Sequence, residues 1–167
     1  VQHLFLMEKP MIDQSPISCF ISYSHQDQEF ADNLYNGLIA SGARVWYAPS
    51  DMQAGKKLIE QIEKALTEFD KLLIILSEKS LESQWVITEL RTTLRLERSS
   101  KKRKLVPIRI TDMGKIFNWK CFDSDLGRDL GIELREYYIP DFSAWQNVDE
   151  FKLQLNKLIS NLSQPDD

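Results

Sequence analysis

Lys71-Leu72-Leu73-Ile74-Ile75-Leu76-Ser77 decides the fold. Its five central residues are all apolar, with none of the polar alternation of a half-exposed strand, so it reads as a strand covered on both faces and set in the middle of a sheet. Working back from it, Leu58, Ile62, Leu66 and Phe69 recur at helical spacing after a second strand, Val45-Trp46-Tyr47. Between the two, Ala48 to Gly55 carries Pro49 and Gly55 and reads as a loop. Phe30, Leu34 and Leu38 mark a helix from about Asp27 to Ser41, closed by Gly42, and Ile17 to Ile21 is the first strand.

Working forward, Val86, Leu90 and Leu94 mark a third helix running to about Arg98, and Leu105 to Ile110 a fourth strand. Thr111 to Arg135 has no clear period. Tyr137-Tyr138-Ile139 is a candidate fifth strand, and Val148, Phe151, Leu155, Leu158 and Leu162 form a closing helix. Strands alternating with helices imply βαβ units. The expected architecture is α/β: an open, doubly wound parallel sheet of about five strands with helices on both faces. In such a sheet ligands bind beyond the carboxyl ends of the strands, where the winding reverses.

Composition limits the chemistry. The 167 residues are 43% hydrophobic and 28% charged, with a formal charge of −4. A chain this long buries about two-thirds of its unfolded surface and needs no disulfide or metal. The mild acidity weighs against a nucleic-acid role, although Lys101-Lys102-Arg103-Lys104 is a local basic run. No apolar stretch is long enough to span a bilayer. Two cysteines, Cys19 and Cys121, outside any metal-ligand spacing, favour a reduced, cytoplasmic setting. Val1 to Gln14 reads as a linker or the end of a preceding domain, residues 15–162 as one domain, and Ser163 to Asp167 as a polar tail. There is no G-x-G-x-x-G, P-loop, G-x-S-x-G or H-E-x-x-H, and Ser77 stands where a phosphate-accepting receiver would carry Asp. The two histidines, His3 and His25, read as exposed residues, and no metal site is expected.

Four segments in fixed order carry a resemblance: Phe20-Ile21-Ser22-Tyr23-Ser24-His25, Val45-Trp46-Tyr47 through Gly55, Ile75-Leu76-Ser77, and Ser83-Gln84-Trp85-Val86-Ile87-Thr88-Glu89-Leu90. Together they resemble a TIR (Toll/interleukin-1 receptor) domain over about Pro16 to Leu162, with a flavodoxin-like fold. The FISYSH form and the W-x-x-x-E-L helix are most similar to the bacterial, NAD-cleaving branch. That resemblance implies an NAD+ glycohydrolase in which Glu89 is catalytic, with NAD as substrate and no resident cofactor. It also implies an effector of immune or antiphage defence, switched on when a sensor domain in a longer chain brings TIR domains together. The products implied are nicotinamide with ADP-ribose or its cyclic form.

The residues support that chemistry on their own terms. Trp85 and Glu89 stand four apart and share a helix face, beside the Val86, Leu90, Leu94 stripe that packs on the sheet. Nicotinamide in NAD is cationic and leaves neutral, so one carboxylate suffices, binding the ribose hydroxyls and stabilising the oxocarbenium-like charge. Trp85 and Tyr47 offer aromatic faces to the pyridinium, worth roughly 0.5 to 2 kcal/mol per contact. Ser22, Tyr23, Ser24, Gly55, Lys56 and Trp119 are further candidate substrate contacts. Pro49, Asp51 and Gly55 are candidates for self-association. Glu89 also reads as an ordinary charge near a helix N-terminus, Trp85 and Tyr47 as core aromatics, and Lys56 as a solvated charge. Ser24 and His25 replace the arginines of animal enzymatic relatives, so backbone N–H groups would have to meet a diphosphate there. A non-catalytic module acting only through TIR–TIR contact is the competing function, and a nucleoside-transferring enzyme using the same glutamate is a third.

Overall fold

A computed structural model describes residues 17–47, 54–55 and 57–164, without the side chains of Tyr47 and Leu58. The central run is β3 (Lys71–Leu76), and Leu72 to Leu76 are each wholly buried. Its side chains alternate between two core layers: Leu72, Ile74 and Leu76 enter one, Leu73 and Ile75 the other. β1 (Ser18–Ser22), β2 (Arg44–Tyr47) and β4 (Leu105–Arg109) join it in a four-stranded sheet of order β2-β1-β3-β4, every pair parallel. The chain leaves β1 toward β2 and returns to β3 on the other side of β1, so the winding reverses between β1 and β3.

Helices α2 (Leu58–Glu68) and α3 (Gln84–Ser100) pack on the Leu72 face. On the other face lie α1 (Gln28–Ala40) and α6 (Val148–Leu162), where Phe30 makes edge contacts with Phe142, Trp145 and Phe151. The α/β architecture is as expected, but the fifth strand is not at Tyr137 to Ile139. Tyr138 is 82% exposed, and the edge position beside β4 is held instead by a single parallel bridge between Arg109 and Asp141. The expected linker at Val1 to Gln14 lies outside the described residues, as does the tail beyond Gln164.

Thr111 to Arg135 folds as α4 (Met113–Asn118), a short hairpin of β5 (Phe122–Asp123) and β6 (Arg128–Asp129), and α5 (Leu130–Arg135). Charge attaches this unit to α3, which apolar periodicity does not register. Arg91 pairs with buried Asp123, Arg95 with Asp125 at 3.0 Å and Arg98 with Glu133 at 3.0 Å. Burial opposes ionisation of Asp123, but the N–H groups of Leu126 and Asp125 and the Arg91 guanidinium outweigh it and hold the carboxyl below its usual range.

Past α3, Lys101 adopts a left-handed conformation at φ 56° and turns the chain toward β4. Buried Glu97 organises this turn. It accepts the N–H of Lys104 at 2.7 Å and of Leu105 at 2.8 Å, and the Tyr137 hydroxyl. Arg103 and Lys104 of the basic run are likewise in use, the first beside Glu97 and the second donating to the Leu66 carbonyl at 2.9 Å. Glu97→Ala should therefore orphan buried donors and cost on the order of 3 kcal/mol. A thermal melt checks this, with a fall of roughly 6 to 12 °C expected in a domain of this size.

Candidate functional site

The carboxyl ends of β1 and β3 flank the reversal, and the segments that follow them build the site. After β3 the chain makes a one-turn helix at Ser80–Glu82 and enters α3 at Ser83, whose hydroxyl accepts the Val86 N–H. Glu89 lies in the second turn of α3. Val86, Ile87 and Leu90 on the same helix pack into the core, which draws this turn against the sheet. Glu89 is carried down with them and is 0% exposed.

Neither carboxylate oxygen of Glu89 has a hydrogen-bond partner among the described residues. Burial pushes its carboxyl well above the usual range, and the Trp85 indole beside it offsets only part of that. Eight positions along the same helix, about 12 Å, Glu97 is buried to almost the same degree and has every partner it needs. Buried polar groups are nearly always paired. One helix thus holds one buried glutamate fully bonded within the fold and one without a partner among the described residues.

A second unpartnered atom lies in the same layer. Ser22 ends β1, and strand alternation puts it on the Phe20 side, facing α2 and α3; it is wholly buried and its hydroxyl has no partner among the described residues. Trp46 stands opposite Phe20 in the β1–β2 register and meets its ring edge-on at 4.7 Å, so this layer has an aromatic wall near the strand ends. Trp85 is half-buried against the same cluster. The structure thus gathers Glu89, Trp85 and Ser22 on one face at the carboxyl edge of the sheet. The Glu89 carboxyl is wholly buried in this arrangement, while Trp85 keeps part of its surface exposed. No cluster of three or more metal-binding side chains occurs among the described residues.

Other candidates go elsewhere. Tyr23 is buried in the opposite layer, its hydroxyl donating to Gln28 at 3.1 Å, so it stands on the far side of the sheet from Glu89. Ser24 precedes the one-turn helix at His25–Asp27, and its carbonyl accepts the Asp27 N–H. Trp119 donates its indole N–H to the Leu81 carbonyl at 3.0 Å and packs on the core, bracing the segment that leads into α3. Gly55 has φ +79° and no described residue near the position of a Cβ, so backbone shape accounts for it. Lys56, Pro49, Asp51 and the Tyr47 side chain lie outside the described residues. An open groove lined by Lys71, Leu105, Pro107, Tyr137 and Leu158 sits at the opposite, amino edge of β3 and β4 and holds no unpartnered buried polar side chain among the described residues.

Sequence reasoning passed over Trp46, Asp27 and Ser80. Period-two alternation with Phe20 would have singled out Trp46 as the β2 aromatic on the Glu89 face. The contact of Asp27 with Ser77 spans 50 positions and leaves no local signal.

Comparison with known proteins places the fold in a family. The profile described as "TIR domain" matches residues 19–152. NAD(+) hydrolase PdTIR of Paracoccus denitrificans is 32% identical over 94 residues, covering 56% of this chain and 31% of that protein. Protein toll of Drosophila melanogaster is 24% identical over 115 residues, covering 67% of this chain and 10% of that one. The match therefore spans a third or less of the length of either relative. Among solved structures, the TIR domain of the Toll-related receptor TRR-2 from Hydra magnipapillata superposes with a TM-score of 0.62 at 16% identity, covering 87% of this chain and 98% of that one. With a profile match across most of its length and a fold to correspond, the chain belongs to the TIR domain family.

Proposed function

We propose that this domain is an NAD+ glycohydrolase with Glu89 as its catalytic carboxylate. The observation that carries the reading is the wholly buried Glu89 side chain, with both oxygens unpartnered among the described residues, on a helix whose other buried glutamate is fully bonded. The relative named as an NAD(+) hydrolase supports it. A buried carboxylate without a partner is a costly group to fold around and a well-prepared one for a cation. The nicotinamide ribosyl unit brings the positive charge, and as its C–N bond breaks the charge passes to the ribose beside Glu89. The leaving nicotinamide takes the bonding pair and departs neutral. Water adds at the anomeric carbon, giving ADP-ribose and a released proton; attack by the adenine would give the cyclic product instead. In this reading Ser22, whose hydroxyl has no partner among the described residues, contacts the ribose, and Trp85 covers the pyridinium. Assembly of several TIR domains under a sensor is proposed as the means by which the buried site becomes open to substrate.

Glu89→Gln keeps the shape and loses the charge, so nicotinamide release from NAD should fall to background in a protein that remains folded. The melt separates this from a structural role. Because the folded state holds Glu89's proton more tightly than the unfolded state does, stability falls as pH rises from the ordinary glutamate pKa through the higher folded value. At neutral pH the variant should therefore melt at or above wild type, and the gap should close in acid. A variant that unfolds early would mark Glu89 as structural.

The pH profile gives an independent check. In the free enzyme the acid limb of kcat/KM should lie well above the ordinary glutamate range of about 4.3. The limb of kcat should lie lower, because bound cationic substrate favours the ionised form. Coincident limbs in the ordinary range would contradict the assignment.

A further inference from the structure

Asp27 occupies the N-cap position of α1, where an aspartate ordinarily accepts an N–H of its own helix, yet it makes no such bond. Its carboxylate instead accepts the Ser77 hydroxyl at 2.5 Å, across 50 positions of sequence. Burial raises the Asp27 carboxyl, and the Ser77 bond works against that rise. Ser77 is itself held on every side: its N–H donates to the Ser80 hydroxyl at 2.7 Å, its own hydroxyl accepts the Ser80 N–H at 3.0 Å, and its carbonyl accepts the Ser80 hydroxyl at 3.2 Å. A helix start that forgoes its own cap for a distant loop has given up local stability for a tertiary bond.

The position of that bond explains its use. Ser77 is the first residue past β3 and Asp27 lies just past β1, so the bond joins the two segments that leave the sheet on either side of the winding reversal. Alternation along β3 points Ser77 to the α1 layer, away from Glu89. Ser77 to Ser83 is also the connection that feeds α3, and its far end is braced by Trp119 on Leu81. We propose that Asp27, acting through Ser77, is a positioning residue for the site: it fixes the start of α3 from behind the sheet and so sets where Glu89 stands relative to the end of β1. This rests on the reading of Glu89 as catalytic. Asp27 touches no reacting atom, and its loss should act on the transition state, where small displacements are costly.

The test compares Asp27→Ala, Ser77→Ala, Asp27→Asn and the double variant Asp27→Ala/Ser77→Ala with wild type, measuring kcat and KM for NAD and amide hydrogen exchange at Val86 to Glu89. Each alanine variant should lower kcat about tenfold with KM little changed. The double variant should be no worse than either single one, and Asp27→Asn, whose amide oxygen still accepts from Ser77, should restore most of the rate. A change confined to KM, a multiplicative loss in the double variant, or no rescue by Asn would overturn the proposal. Should wild type release no nicotinamide, the catalytic reading falls by itself and exchange decides the positioning role. Faster exchange in both alanine variants with wild-type rates in Asp27→Asn upholds it, and equal rates in all four overturn it.

Discussion

A strand with no exposed face, β3, is the constraint from which the remaining structure follows. Five consecutive apolar residues cannot be left against water on either side, so the chain must place helices on both faces, and only parallel strands joined by crossovers do that economically in one domain. The crossovers from β2 to β3 and from β3 to β4 lie on the Leu72 side as α2 and α3, while α1 and α6 cover the Leu73 side. The reversal between β1 and β3 is a consequence of that arrangement. At the carboxyl edge there lie Glu89 and Ser22, two of the three residues with unpartnered buried polar side-chain atoms among the described residues.

Helix α3 serves two purposes with one kind of residue. Its C-terminal half is tied to the fold by charge: Arg91, Arg95 and Arg98 reach the β5–β6 hairpin and α5, and Glu97 holds the turn into β4. Its N-terminal half is tied only by packing and by the bracing of the segment before it, with Ser83, Trp119 on Leu81, and Ser77 on Asp27. The other end carries a carboxylate with no hydrogen-bond partner among the described residues. Burial of an unpartnered carboxyl at Glu89 costs stability, whereas burial of the bonded Glu97 on the same helix does not.

Much of this was legible in the sequence because it depends on period and order. The β3 run, the Val86, Leu90, Leu94 stripe and the four-residue spacing of Trp85 and Glu89 are local patterns, and they located both the sheet and the acidic residue. The depth of Glu89 was not legible, since the helix face it shares with Trp85 does not say how closely that turn is drawn against the core. Residues 111 to 135 resisted for another reason: the apolar anchors Ile116, Leu130 and Leu134 are too sparse to show a period, and the ion pairs are long-range, Asp123 meeting Arg91 from 32 positions away. Tyr137 to Ile139 had the composition of a strand, but its ring at position 137 is engaged with Glu97 and the edge pairing falls to Asp141.

The central claim is that the fold buries Glu89 without a partner and leaves the charge to be matched by a ligand. Titration of its side-chain carboxyl by carbon NMR, assigned against Glu89→Gln and repeated with a non-cleavable NAD analogue that keeps the pyridinium charge, tests this most directly. The account predicts a midpoint well above the usual value of about 4.3 in the free protein, falling when the analogue binds. A midpoint in the ordinary glutamate range in the free protein, unmoved by the analogue, would contradict it.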